Sequence, residues 1–326
     1  MTCIAYLGPA GTFTEQAARQ WAADVLEGRQ RPVDGRAAAA DIVPASTVRT
    51  ALELLCDGEV EAAVVPFENS VEGSVPATLQ ALLEAGDDGV RICGEVHVEV
   101  QFHLWARPGT TLADLGPDAV VATHPHAAAQ TRDWLAATLP EVSLVHETST
   151  ARAAQAVAEG QYDAAISAPG AGPAYGLEAV AEHIADRQGA VTRFVVLRRG
   201  APTPAPTGAD RTTLVVWIWA NRPGALLGLL DQFAVRGIDL SRLESRPTGE
   251  ALGEYCFWID ADAHVSEPRL KEALVGLRRT SRAVSFLGSY PRADGHRATV
   301  PSDARDEAYA RAQDWVDSLV RDDRAD

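Results

Sequence analysis

The stretch Val64-Val65-Pro66-Phe67-Glu68-Asn69-Ser70-Val71-Glu72-Gly73-Ser74 sets a carboxylate, a carboxamide and a hydroxyl in succession, directly after an apolar run. Glu68, Asn69 and Ser70 are the residue types that orient a polar substrate through hydrogen bonds. The run at 62–65 reads as a buried strand, Pro66 punctuates it, and Gly73 permits a turn that most residues resist. In open α/β sheets, ligands bind just beyond the carboxyl ends of strands, where such groups collect. A solvated turn would use the same three residues. The choice between the two therefore depends on whether other strand ends carry matching groups.

Several do. Gly8-Pro9-Ala10-Gly11-Thr12-Phe13-Thr14-Glu15 closes the first strand and opens a helix. Thr12 and Glu15 have capping-box spacing, and the N–H groups near Gly11 and Thr12 suit either that cap or an anion such as a carboxylate. Thr123-His124-Pro125-His126 ends another strand, with Gln130 on the helix that follows. Two histidines either side of a proline, with no third ligand at a telling spacing, fit a turn better than a metal site. In Glu147-Thr148-Ser149-Thr150 a carboxylate precedes a natural N-cap. Thr192-Arg193-Phe194 opens an apolar strand with a hydroxyl, a cation and a ring, a set that suits a carboxylate beside a ring and equally a surface arginine. Gly170, Gly172 and Gly176 imitate a dinucleotide fingerprint, but the spacing is wrong and Pro173 interrupts it. There is no P-loop, HExxH or GxSxG motif.

Alternating elements position these groups. Strands are expected at 4–7, 62–66, 94–106, 118–122, 142–146, 163–167 and 193–198. Helices are expected at 14–25, 47–57, 126–138, 150–159 and around 174–184. This order predicts parallel sheets covered by helices. His97 and His103 fall on the polar face of the long strand at 94–106, and residues 31–40 read as a surface loop. Three alternating prolines at 202, 204 and 206 mark an extended linker over 200–211, which closes a first region at 1–199. Beyond it, over 212–291, the pattern is strand, helix, two strands joined at Thr248-Gly249-Glu250, helix, strand. That is the ferredoxin-like βαββαβ order, whose open sheet face favours pairing with another copy. Residues 292–326 form an acidic tail in which Tyr309, Ala312, Val316, Leu319 and Val320 make one helical stripe.

Composition narrows the class. With 45 acidic against 29 basic residues the formal charge is −16, and no basic stripe offers a nucleic-acid footprint. No apolar run is long enough to span a bilayer, and the N-terminus enters a strand without the pattern of a signal peptide. Cys3, Cys56, Cys93 and Cys256 have neither metal-site nor disulfide-scaffold spacing. A cytoplasmic enzyme or binding protein is expected, with no nucleic-acid or membrane partner.

Taken together, Gly8-Pro9-x-Gly11-Thr12-Phe13, Pro66-x-Glu68-Asn69-Ser70 with Gly73-Ser74, Tyr175-Gly176-Leu177 and Thr192-Arg193-Phe194-Val195 resemble the prephenate dehydratases in order and spacing. The module after the linker resembles an ACT regulatory domain. Its Gly224-Ala225-Leu226-Leu227 and Glu244-Ser245-Arg246-Pro247 are similar to the two motifs associated with phenylalanine binding. The resemblance covers about 3–290. It implies a catalytic region of two α/β lobes, related to periplasmic-type binding proteins, with substrate in the cleft. Thr192 resembles the family's essential threonine. Glu68, Asn69, Gln130 and Glu147 match its active-site polar residues, and Thr123 stands where relatives carry serine. The loop before Thr192, Asp186-Arg187-Gln188-Gly189-Ala190-Val191, lacks the asparagine common there.

The implied reaction turns prephenate into phenylpyruvate with loss of CO2 and water, driven by aromatisation, so no cofactor or metal is expected. On this reading Arg193 and the Gly11–Thr12 amides hold carboxylates. Thr192 assists the leaving hydroxyl, with Glu147 or Glu68 as the alternative proton donor, and Phe194 walls the departing carboxylate. A phenylalanine effector would use the turn around Asn221 to Leu227 and residues 244–247, at the interface of a homodimer or homotetramer. The rival readings are a non-catalytic two-lobe binding protein with an amino-acid sensor, an arogenate dehydratase, or another aromatic-pathway enzyme carrying the same sensor.

Overall fold

The computed structural model describes residues 2–26, 40–248 and 254–322. The chain divides into two compact units, Met1–Gly89 with Val96–Arg199, and Val90–Glu95 with Gly200–Asp326.

The first unit holds two sheets. One lobe runs through β1 (Thr2–Leu7), α1 (Phe13–Leu26), β2 (Ala40–Ala45), α2 (Val48–Asp57), β3 (Ala62–Asn69), the short β4 (Gly73–Ser74), α3 (Pro76–Ala85) and β5 (Val90–Glu99). The chain then builds a second lobe from β6 (His103–Ala106), β7 (Val120–Thr123), α4 (Pro125–Gln130), α5 (Arg132–Thr138), β8 (Ser143–His146), α6 (Thr150–Ala158), β9 (Ala164–Ser167), α7 (Ala171–Tyr175) and β10 (Glu178–Ala181). It returns to the first lobe as β11 (Val191–Arg199). The first sheet has the order β2-β1-β3-β11-β5, with β4 on β3, and the second has the order β10-β6-β9-β7-β8. Strand β3 begins with four fully buried residues, Ala62 to Val65, as expected of a strand covered on both faces. The two crossings between lobes lie side by side, where the Val100 N–H donates to the Ala190 carbonyl at 2.7 Å.

Three expected elements differ. The strand expected at 94–106 is two strands, β5 and β6, because the chain leaves one sheet for the other at 100–102. The alternation restarts there, and His103 is buried at 7% exposure rather than solvated. The helix expected at 126–138 breaks at Thr131, whose buried hydroxyl bonds back to the Ala127 carbonyl at 2.8 Å. The second half restarts because the Asp186 carboxylate accepts the N–H groups of Asp133 and Trp134. The helix expected near 174–184 is only the short α7, stopped by Gly176 at φ 67° and followed by β10. Gly172 is a packing glycine, since a Cβ there would lie 2.0 Å from the Trp105 ring.

In the second unit, β12 (Asp210–Trp217), α8 (Ala225–Ala234), β13 (Leu240–Pro247), β14 (Tyr255–Ala261), α9 (Pro268–Thr280) and β15 (Ala283–Pro291) form an antiparallel sheet of order β13-β14-β12-β15. This is the ferredoxin-like arrangement. Leu214, Val216, Phe233, Ile259, Leu270 and Leu277 form its core beneath the helices. Residues 90–95 belong here because the buried Glu95 carboxylate accepts from the Arg211 guanidinium at 2.7 Å and from the Ala293 N–H at 2.9 Å. A helix, α10 (Asp306–Asp322), follows. The expected loop at 31–40, apart from Ala40, which opens β2, and most of the turn at 248–250 lie outside the described residues.

Candidate active site

The carboxyl end of β3 meets the start of β11 in antiparallel register, with Asn69 opposite Thr192 and Glu68 opposite Arg193. Directly opposed residues share a face, and successive residues alternate faces. The register therefore produces two separate contacts. On one side the Asn69 Nδ2 amide donates to Thr192 Oγ1 at 2.8 Å. On the other, the Arg193 guanidinium lies 3.1 Å from the Glu68 carboxylate and 4.7 Å from the centre of the Phe67 ring. A register shift between Arg193 and Phe194 accommodates Pro66, which has no N–H for the ladder of a central strand.

The Thr192 hydroxyl is set up to donate. It accepts one hydrogen bond from Asn69, which leaves its own O–H for another group. Accepting a bond polarises that O–H and strengthens it as a donor. Asn69 is itself fixed, because its Oδ1 accepts the N–H of Val71 at 2.8 Å and of Glu72 at 3.1 Å. Ser70 ties the turn to β11: its N–H donates to the Val191 carbonyl and its Oγ accepts the Val191 N–H, both at 2.9 Å. The exposed Ser70 hydroxyl keeps its proton for a ligand.

Other expected site residues are engaged elsewhere. The Arg193 side chain is only 6% exposed and already holds Glu68, so it is not open to a substrate carboxylate. Phe194 is 2% exposed and sits in the core, not on a cleft wall. Thr123 is fully buried and its hydroxyl donates to the Ile166 carbonyl at 2.7 Å, closing the sheet instead of facing the cleft. At the β1–α1 turn the capping alternative accounts for the observed bonds. The Gly11 N–H donates to the Glu15 carboxylate at 2.5 Å and the Glu15 N–H donates to Thr12 Oγ1 at 3.2 Å. Gly11 adopts φ 79°, and a Cβ there would lie 2.7 Å from Ala171, so only glycine fits this approach of α7.

The second lobe supplies Glu147 and Gln130. Glu147 follows β8, its N–H bonded to the Thr123 carbonyl and its carboxylate accepting from the Tyr162 hydroxyl at 3.0 Å. That bond to a carboxylate raises the Tyr162 pKa. Gln130 ends α4, and its Nε2 donates to the Glu72 carboxylate at 3.2 Å. His124 caps α4 through its Nδ1, which accepts the His126 N–H at 3.3 Å. Burial, then the neighbouring His126, lowers the His124 pKa. No metal-holding group of His, Cys, Asp or Glu occurs among the described residues. Glu72, which contacts both His126 and Gln130, lies inside the stretch singled out by sequence, but only the spatial neighbourhood gives it a role.

In the second unit, Gly224 caps α8 at φ 82°, with Asn221, Leu226 and Leu227 exposed around it. Ala225 opens the helix. Glu244, Ser245, Arg246 and Pro247 lie on β13, an edge strand, where the Glu244 carboxylate pairs with Arg242 and sits 3.9 Å from Arg246.

These features define a two-lobed α/β protein with a hydroxyl held at the end of a central strand, followed by a ferredoxin-like module. The prephenate dehydratase family model matches residues 4–202. The chain is 45% identical to the prephenate dehydratase of Amycolatopsis methanolica over 326 residues, which is 100% of both chains. The crystal structure of a prephenate dehydratase from Arthrobacter aurescens in complex with L-Phe superposes with TM-score 0.86 and 46% identity, covering 98% of this chain and 100% of that one. GqqA, described as a novel type of quorum quenching acylase, gives TM-score 0.75 and 32% identity, covering 89% and 98%. The chain belongs to the prephenate dehydratase family.

Proposed function

We propose that this protein is a lyase that converts prephenate into phenylpyruvate under the control of L-phenylalanine. The observation that carries the reading is the Thr192 hydroxyl, polarised by Asn69 at 2.8 Å and free to donate. In the reaction the bond from the ring to its carboxylate breaks and its electron pair enters the ring. The ring C–O bond breaks at the far side, and the leaving hydroxyl takes a proton to become water. Aromatisation drives the change, so the protein needs to orient a dianion and hydrogen-bond the departing oxygen.

Thr192 serves that oxygen. A threonine hydroxyl is a weak acid, so its part is to donate a hydrogen bond or relay a proton. Glu147, which follows β8 in the second lobe and accepts from Tyr162, is the alternative proton donor on this reading. Ser70 and the second amide hydrogen of Gln130 are donors for the substrate carboxylates. Arg193 acts by holding Glu68 beside the Thr192 strand.

The ferredoxin-like module reads as an ACT domain. The exposed turn from Asn221 to Leu227 and the edge strand β13 offer a place for phenylalanine, and an uncovered edge strand favours a second copy as its partner. A homodimer or homotetramer is the assembly this reading proposes. The Arthrobacter relative, crystallised with L-Phe, supports the choice of effector. All four cysteines are unbridged thiols, consistent with work in the cytoplasm. No helix among the described residues is long and apolar enough to cross a membrane.

The test is the absorbance of phenylpyruvate formed from prephenate, with and without L-phenylalanine. Turnover that responds to phenylalanine is the expected result. Absence of turnover, with quorum-quenching acylase activity in its place, would move the chain to the activity described for GqqA.

A further inference from the structure

Among the carboxylates held by protein donors in the catalytic unit are Glu15, Glu68 and Glu72, and of these three Glu72 joins the lobes at the α4 side. Gly11 holds Glu15 within one loop, and Arg193 holds Glu68 within one sheet. Glu72 leaves the turn between β3 and β4 in the first lobe and reaches α4 in the second. Its carboxylate lies 2.5 Å from His126 Nδ1 and accepts from Gln130 Nε2 at 3.2 Å. The backbone of the same residue is tied to the reacting hydroxyl. The Glu72 N–H donates to Asn69 Oδ1, and Asn69 Nδ2 donates to Thr192 Oγ1. A continuous series of hydrogen bonds therefore runs from α4 to Thr192.

We infer that Glu72 is a positioning residue for the dehydration, a latch whose carboxylate joins closure of the α4 side of the cleft to the orientation of Gln130. This rests on the dehydratase reading above. A carboxylate suits the role because two donors converge on it and it only accepts. By taking one amide hydrogen of Gln130 it directs the other into the cleft. The latch is weak by construction, since the Glu72 side chain is 32% and the His126 side chain 65% exposed. Pairs so open to water bias a two-state equilibrium by about fivefold at most. A bias of that size closes the cleft on substrate without trapping product. At saturation, bound substrate itself holds the lobes together, so the latch acts on apparent affinity.

The experiment measures kcat and KM for prephenate in the full-length protein, with Glu72→Ala, Glu72→Gln, His126→Phe and the double variant Glu72→Ala/His126→Phe beside the wild type. Glu72→Ala raises KM about threefold to fivefold with kcat held within about twofold. Glu72→Gln keeps one bond and falls between it and the wild type. The double variant is no worse than Glu72→Ala, because both changes remove the same contact. A KM for Glu72→Ala within about 1.5-fold of wild type, a fall in kcat alone, or multiplying effects in the double variant would each overturn the latch. Silence of the wild type along with every variant overturns the dehydratase reading, and the latch with it.

Discussion

The two lobes end their sheets differently. In the first, antiparallel register sets Asn69 against Thr192 and Glu68 against Arg193, so the polar groups are fixed by the backbone ladder itself. In the second, the side chains at the same end of the sheet turn into the core. Thr123 bonds the Ile166 carbonyl, and His103 lies buried opposite Ser167. The groups that do reach outward there, Gln130 and Glu147, come from a short helix and a loop. A reacting hydroxyl needs a fixed position, whereas groups that close over substrate must move. On the proposed reading, the first lobe fixes the reacting hydroxyl through its backbone ladder, and the second lobe brings its groups to the substrate from a helix end and a loop.

The sharpest way to break that contrast is Thr192→Val, which keeps shape and removes the hydroxyl. Proton-transfer groups contribute about 10²- to 10⁴-fold, so kcat falls by that range while Thr192→Ser retains most activity. Steady-state turnover of prephenate checks it, and a valine variant near wild-type rate would remove Thr192 from the chemistry. The neighbouring position should behave oppositely. Arg193→Met leaves Glu68 without its cation and removes a guanidinium from the Phe67 face. Breaking a fully buried pair costs about 3–5 kcal/mol, but Glu68 is 36% exposed, so a loss of about 1–3 kcal/mol in unfolding free energy is expected. Urea unfolding measures it. An Arg193→Met protein of unchanged stability but with activity as low as Thr192→Val would show that the arginine meets substrate.

Much of this was legible in the residues. The run at 62–65 announced a buried strand, whereas the polar triplet after it fitted a strand-end site or a solvated turn and took its meaning only from the other strand ends. The βαββαβ order beyond the prolines was readable from apolar periodicity alone. What the residues did not disclose is pairing. That Thr192 faces Asn69 while Arg193 faces Glu68 depends on register, which belongs to two segments over a hundred positions apart. The same gap explains Phe194 and Thr123, whose motif positions fit a site but whose strand faces point into the core. It also explains the long strand expected at 94–106, where no glycine or proline marks the place at which the chain changes sheets. Glu72 was hidden for a related reason, since its partners come from the other lobe.

His103 offers the finest test of the contrast, because an inward-facing group should govern stability instead of reaction. It is 7% exposed, stacks on Trp105 with ring centroids 5.4 Å apart and meets His183 edge-on at 5.0 Å. Burial lowers its pKa, with Glu182 opposing and His183 adding to the shift. The unfolded chain binds a proton below about pH 6.5 that the folded chain resists. Stability from this group is therefore complete above that pH and is lost as pH falls through it, by at most about 1.4 kcal/mol per pH unit. Urea unfolding at pH 7.5 and 5.5 should show wild type losing more than His103→Phe, with kcat for prephenate alike in both proteins at pH 7.5. Equal losses in the two proteins would mean that the ring meets water. A fall in kcat confined to His103→Phe would bring an inward-facing side chain of the second lobe's sheet into the chemistry and dissolve the distinction between the lobes.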